Sequence, residues 1–126
     1  MSYDSCRLIA INLYSYVDKP FTPEASFNFD LFKVHVAKAM RLMDDLIDLE
    51  MEKIEQILDK VRRDPEDEDV KRTEKELWEK IQEKSIGGRR TGLGITGEGD
   101  MLAALGLTYG SDESIDFAVN VQKTLA

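Results

Sequence analysis

The sequence predicts a mainly α fold with a minor β component, a helical hairpin plus short strands. Three observations carry that prediction. Apolar residues recur at steps of three and four from Phe32 to Val61, the rhythm of one helix face. A stretch near the start, residues 7–17 (RLIAINLYSYV), is mostly apolar on both alternating faces, the pattern of a strand covered on two sides. Glycines then cluster between 87 and 97, where helices end and the chain turns.

In the first stretch Ile9, Ile11, Leu13 and Val17 share one face; Leu8, Ala10, Tyr14 and Tyr16 share the other. Lys19 and Pro20 end it, because proline has no ladder donor. Thr22, Pro23 and Glu24 resemble a short helical start, with a hydroxyl cap and proline at the first position. Asn28 then caps a long helix whose stripe is Phe32, Val36, Met40, Met43, Ile47, Met51, Ile54, Leu58 and Val61. Asp64 before Pro65 closes it and can itself cap the next helix, whose stripe is Val70, Leu77, Trp78 and Ile81. Two helices joined by a short turn form an antiparallel hairpin.

Gly87 and Gly88 stop that second helix. Residues 89–96 (RRTGLGIT) read as extended, 98–105 as a short helix with acids in its first turn, and Gly106 as its end. Ser111, Asp112 and Glu113 open a last helix with Ile115, Ala118, Val119 and Leu125 inward. The chain thus divides into strand and loop (1–27), helical hairpin (28–86), and glycine-rich turn with C-terminal helices (87–126), all within one domain of 126 residues.

Composition narrows the function. The formal net charge is −8, and residues 44–84 hold 16 of the 25 acids against 9 basic residues. Such acidity argues against non-specific nucleic-acid binding, which needs Lys and Arg to neutralise phosphates. No apolar run reaches a membrane-spanning length of about 18–20 residues. The first residues show no basic stretch followed by an apolar one, so no secretory signal is expected. One cysteine and one histidine exclude an internal disulfide and a Cys/His zinc cluster, and a reduced, cytoplasmic setting is the expectation.

Several motifs invite a sharper reading. Residues 44–48 (DDLID) match the DDxxD pattern that chelates magnesium for a diphosphate. That chemistry needs a facing acidic cluster and an enclosed helical pocket, so a solvated helix face is the reading preferred. Residues 92–97 (GLGITG) spell GxGxxG, but no βαβ unit surrounds them, which favours a tight turn over a dinucleotide site. His35 lies off the main stripe with no second His, Cys or Ser to work with, and Trp78 fits a core stripe. Arg89 and Arg90 are either an anion-binding pair or structural ion-pair donors, with the second preferred. Cys6 stands at the start of the apolar strand, where it is either an inert small hydrophobe or a redox thiol.

Longer stretches carry a family resemblance. Residues 5–13 (SCRLIAINL) resemble the ribonucleotide reductase large-subunit segment that bears the second of two redox cysteines in the substrate pocket. Residues 88–96 (GRRTGLGIT), with 100–106 (DMLAALG) and 109–111 (YGS), resemble the family's later GRRxGLG segment and its helix. Residues 43–48 (MDDLID) fall between them as the family's long helix does, and the wording is closest to the adenosylcobalamin-dependent class II branch.

The resemblance implies a piece of a ten-stranded α/β reductase barrel, with Cys6 as one half of the thiol pair that reduces the ribose. Adenosylcobalamin is implied for the full enzyme, and none is expected on this chain alone. Asn12, Arg89 and Arg90 would belong to barrel elements near that pocket, and the GxGxxG and DDxxD matches would be packing features. The radical-bearing Asn-x-Cys-x-Glu loop and the partner cysteine do not occur in the sequence. The expected function is therefore part of a ribonucleoside-diphosphate or -triphosphate reductase making deoxyribonucleotides for DNA synthesis, not catalytic by itself. A split-gene product, a trimmed piece or a relic would each fit. The expected partners are the remaining reductase segments and a second copy, since a strand 7–17 without its barrel neighbours would leave 11–17 uncovered on at least one edge. The alternative is a stand-alone helical module that self-associates or binds a protein.

Overall fold

A computed structural model describes residues 2–126. They are mostly helical with short strands: β1 (Arg7–Asn12), a 3-10 turn (Leu13–Tyr16), β2 (Val17–Asp18), β3 (Ser26–Phe27), α1 (Phe29–Arg63), α2 (Glu68–Gly88), β4 (Thr91–Thr96), α3 (Glu98–Ala104) and α4 (Asp112–Leu125). The chain separates into two compact units, one of residues up to 8 with 41–92, the other of 9–40 with 93–126.

In the first unit α1 and α2 form the expected hairpin. Arg63 ends α1 ahead of Asp64 and Pro65, as the proline requires. Arg89, just past α2, reaches back to Asp44 and Asp48 on α1, so the helices run antiparallel. Met43, Ile47, Ile54, Leu58 and Val61 are buried along α1. The stripe differs from expectation at Met40, which is exposed. The cap of α2 also differs: Asp67, not Asp64, accepts the Asp69 amide at 2.9 Å. On α2, Val70 and Leu77 are exposed while Trp78 and Ile81 are half-buried and Ser85 is buried. Lys71 and Glu74 hold half-buried positions on that helix, so a charged sequence keeps only a narrow apolar contact.

The second unit holds an aromatic core. Leu13, Phe32 and Met101 are fully buried with Tyr16, Phe27, Leu102 and Val121, and Phe29 and Phe117 pack against them. Tyr16, Phe27 and Phe32 meet with ring centroids 5.1–5.9 Å apart. Asn28 caps α1 as expected, accepting the Leu31 amide at 3.0 Å.

The first strand is shorter than its pattern suggests. It ends at Asn12, whose side-chain oxygen accepts the Tyr14 amide at 3.1 Å and turns the chain into the 3-10 helix. Leu13 and Tyr16 are then buried by helical rather than alternating spacing. Strand β1 is also covered on one face only, for Leu8, Ala10 and Asn12 are exposed. Residues 13–16 turn as a 3-10 helix and Val17 and Asp18 pair with β3, so the long open strand edge on which the dimer expectation rests is not formed over 13–18.

Residues 22–24 form a turn closed by the Ala25 amide on the Thr22 carbonyl rather than a helical start. That turn lets β3 fold back antiparallel on β2, with Val17 opposite Phe27. On α4, Ile115 and Val119 are exposed, and Ser114, Phe117 and Val121 point inward instead.

Strands β1 and β4 are neighbours. The Arg7 amide donates to the Arg90 carbonyl at 3.1 Å, Gly92 faces Cys6 and Leu8, Gly94 faces the Ile9 carbonyl, and Gly97 faces Asn12. The partners advance together along both strands, so the pair is parallel. The GxGxxG run is therefore chiefly strand. Only Gly97, at φ +71°, makes the turn into α3, where the Asn12 side chain leaves no room for a Cβ.

Candidate functional site

Cys6 sits immediately before β1, free and exposed, with its thiol 4.0 Å from the Arg7 carbonyl oxygen. A Cβ on Gly92 would come within 2.6 Å of Leu8 Cδ2 and 3.7 Å of Cys6 Sγ. Glycine at this position thus lets β4 approach and leaves the sulfur uncovered on that side.

Ion pairs within the first unit hold the residues around Cys6. Arg90 Nε donates to Asp4 Oδ2 at 2.7 Å, and the Asp4 side chain is only 8% exposed. A carboxylate this buried depends on its guanidinium, and removing Arg90 would leave an uncompensated charge. Arg7, also mostly buried, pairs with Glu50 on α1 and reaches Ser85 Oγ on α2 at 3.5 Å. One residue on each side of the thiol and its neighbour is therefore fastened to charged partners.

Arg89 makes a third set of pairs. Its Nε donates to Asp44 Oδ1 at 2.8 Å and its Nη1 to Asp48 Oδ1 at 2.9 Å, while Nη2 meets the Asp44 carbonyl at 3.2 Å. The hydrogen bonds to Asp44 and Asp48 raise the Arg89 pKa above its ordinary value, so the group stays charged. Asp45 is taken by Arg41 at 2.9 Å. The DDxxD acids are thus ion-pair acceptors, and among the described residues no three His, Cys, Asp or Glu gather as a metal set. Arg89 and Arg90 are both structural donors, the preferred reading from sequence.

In the second unit His35 has a partner that sequence reasoning missed: its Nδ1 is hydrogen-bonded to Tyr16 Oη at 3.0 Å. Burial raises the Tyr16 phenol above its usual pKa. The Asp4–Arg90 and Arg7–Glu50 pairs were also missed. Arg7 left one signal: it shares the inward parity of Ile9 and Ile11, where a charge demands a partner.

The ribonucleotide reductase barrel-domain family matches residues 1–126, and the chain belongs to that family. Among curated relatives, the vitamin B12-dependent ribonucleoside-diphosphate reductase of Mycobacterium tuberculosis (strain H37Rv) is 26% identical over 125 residues, 99% of this chain and 14% of the relative. The enzyme of the same name from Thermoplasma acidophilum is 29% identical over 121 residues, 96% of this chain and 12% of the relative. The chain therefore spans about one-eighth of the length of these relatives. No solved structure gives a significant match.

Proposed function

We propose that this chain is a segment of the catalytic barrel of a ribonucleotide reductase, acting as one fragment over 1–126, and that Cys6 is one of its two reducing thiols. The observation that carries the reading is the exposed Cys6 thiol at the head of a parallel strand pair, in a chain matched by the family along its whole length. In the full enzyme the substrate would be a ribonucleoside diphosphate, as the relatives' names state. Two thiols supply two electrons and two protons: the ribose 2′-hydroxyl leaves as water, a C–H bond takes its place, and the sulfurs close as a disulfide. Cys6 provides one sulfur. The other, with the radical-forming groups, comes from the remaining reductase segments, which are the partners this reading requires. A thiol used in this way suits the reducing cytoplasm, and its product serves DNA synthesis.

Adenosylcobalamin is the cofactor proposed for the whole enzyme from the relatives' names. The described residues do not fit a seat for it. The second unit's groove of about 420 Å³, walled largely by Ile95, Leu102, Ile115 and Val119, is too small to enclose a corrinoid. The cofactor's seat is therefore assigned to other parts of the enzyme. The second reading, a helical self-association module, draws on Leu42, Leu46 and Leu49, which stand exposed at helical spacing on α1.

Purified alone with a ribonucleoside diphosphate, adenosylcobalamin and a dithiol, the chain is expected to yield no deoxynucleotide above a no-protein control. Product that persists in a Cys6→Ser variant would overturn the assignment.

A further inference from the structure

The second unit carries a small cleft that the reductase reading does not use. It measures about 310 Å³ and is lined by Asn12, Tyr14, Phe21, Asp100 and Ala103. Its position is set by the ends of β1 and β4: Asn12 closes β1 and Gly97 turns β4 into α3, which bears Asp100 and Ala103.

Phe21 is held there against its own preferences. Its backbone lies at φ +62° and Lys19 at φ +47°, a region that L side chains avoid. The residue is 70% exposed, so burial does not offset the strain. The loop is fixed nonetheless. The Phe21 amide donates to the Ala104 carbonyl at 2.8 Å, Thr22 Oγ1 donates to the Lys19 carbonyl at 2.8 Å, and Lys19 is paired with Glu24. These contacts hold the Phe21 ring beside Tyr14, with centroids 6.4 Å apart and planes tilted by 42°. Backbone strain retained at an exposed position is a feature of ligand sites.

The chemistry of the walls selects the ligand. Two tilted aromatic rings offer negative π faces to a cation. Asp100 supplies a carboxylate, and among the described residues it has no hydrogen-bond or ion-pair partner. No Lys or Arg lines the cleft, and Lys19 is occupied by Glu24. A phosphate would find no counter-charge, whereas a cation is favoured both by Asp100 and by a chain of net charge −8.

We propose that this cleft binds an organic cation, with a guanidinium preferred because its plane stacks on the rings while its fork meets the Asp100 carboxylate. That group would come from an arginine side chain of a protein partner. The proposal stands on the second unit alone and is independent of Cys6.

Titration of the ¹⁵N-labelled chain with N-acetyl-arginine amide, N-acetyl-lysine amide, spermidine and tetramethylammonium, followed by amide shifts, tests it. Saturable shifts confined to 12–22 and 97–104 are expected, strongest with the arginine derivative. Asp100→Asn should weaken that binding about tenfold, the loss of one charge-assisted contact. Phe21→Ala should weaken every cation, and thermal melts of both variants check that each remains folded. Tighter binding of spermidine than of the arginine derivative would assign the cleft to a free polycation and overturn the guanidinium preference. Shifts that do not saturate, or that persist unchanged in both folded variants, would overturn the site.

Discussion

At φ +38°, Arg89 occupies the left-handed position that follows a helix and that glycine normally takes, at a cost of roughly 1–2 kcal/mol for an L residue. Its side chain explains the exception, because from there the guanidinium reaches Asp44 and Asp48. The side chains are 38%, 51% and 62% exposed, so solvent screens these pairs and they contribute little to stability. The two effects separate by mutation. Arg89→Ala keeps the strain and loses the pairs, whereas Arg89→Gly loses both. Chemical denaturation should therefore find the glycine variant more stable than the alanine variant by about 1 kcal/mol. An alanine variant equal to or better than glycine would contradict the strained cap. The sequence showed Gly87, Gly88 and two arginines, enough to place a helix end and ion-pair donors. It could not show which residue takes the left-handed turn, because neighbouring glycines compete for that role and only the position of the acids on α1 decides it.

For whole elements, legibility followed length and periodicity. Helix α1 repeats its stripe over 35 residues, so the buried set was readable almost entirely from spacing. Short elements were not. An alternating apolar run from 7 to 17 looks like one strand, yet Asn12 offers the Tyr14 amide a side-chain acceptor, and Leu13 and Tyr16 pack as a turn of helix. The same weakness displaced the α2 cap to Asp67, since Asp64 and Asp67 are both chemically able to cap. The stripe on α1 yields a direct contrast. Ile54 is 1% exposed and Leu49 is 55% exposed on the same helix. Ile54→Ala should lower unfolding free energy by about 2–5 kcal/mol, whereas Leu49→Ala should stay within roughly 0.5 kcal/mol. Urea melts that rank the two in reverse would show that α1 is docked on another face.

Over the whole molecule, each unit explains a different part of the proposed role. The first surrounds Cys6 with Asp4–Arg90 and Arg7–Glu50, so the thiol stands exposed on a well-fastened strand start. The second supplies the aromatic core into which β1 continues through its 3-10 turn. The proposal of Cys6 as the site residue draws on resemblance, because a lone cysteine on an apolar strand has no chemical signature of its own. The ion pairs flanking it join residues more than 40 positions apart, a separation that periodicity does not encode. The most direct measurement replaces the matching segment of the Thermoplasma acidophilum relative with residues 2–126 and assays deoxynucleotide formation under multiple turnovers. The account predicts an active chimaera whose turnover is lost on Cys6→Ser. A chimaera that turns over equally well with serine at that position would contradict it.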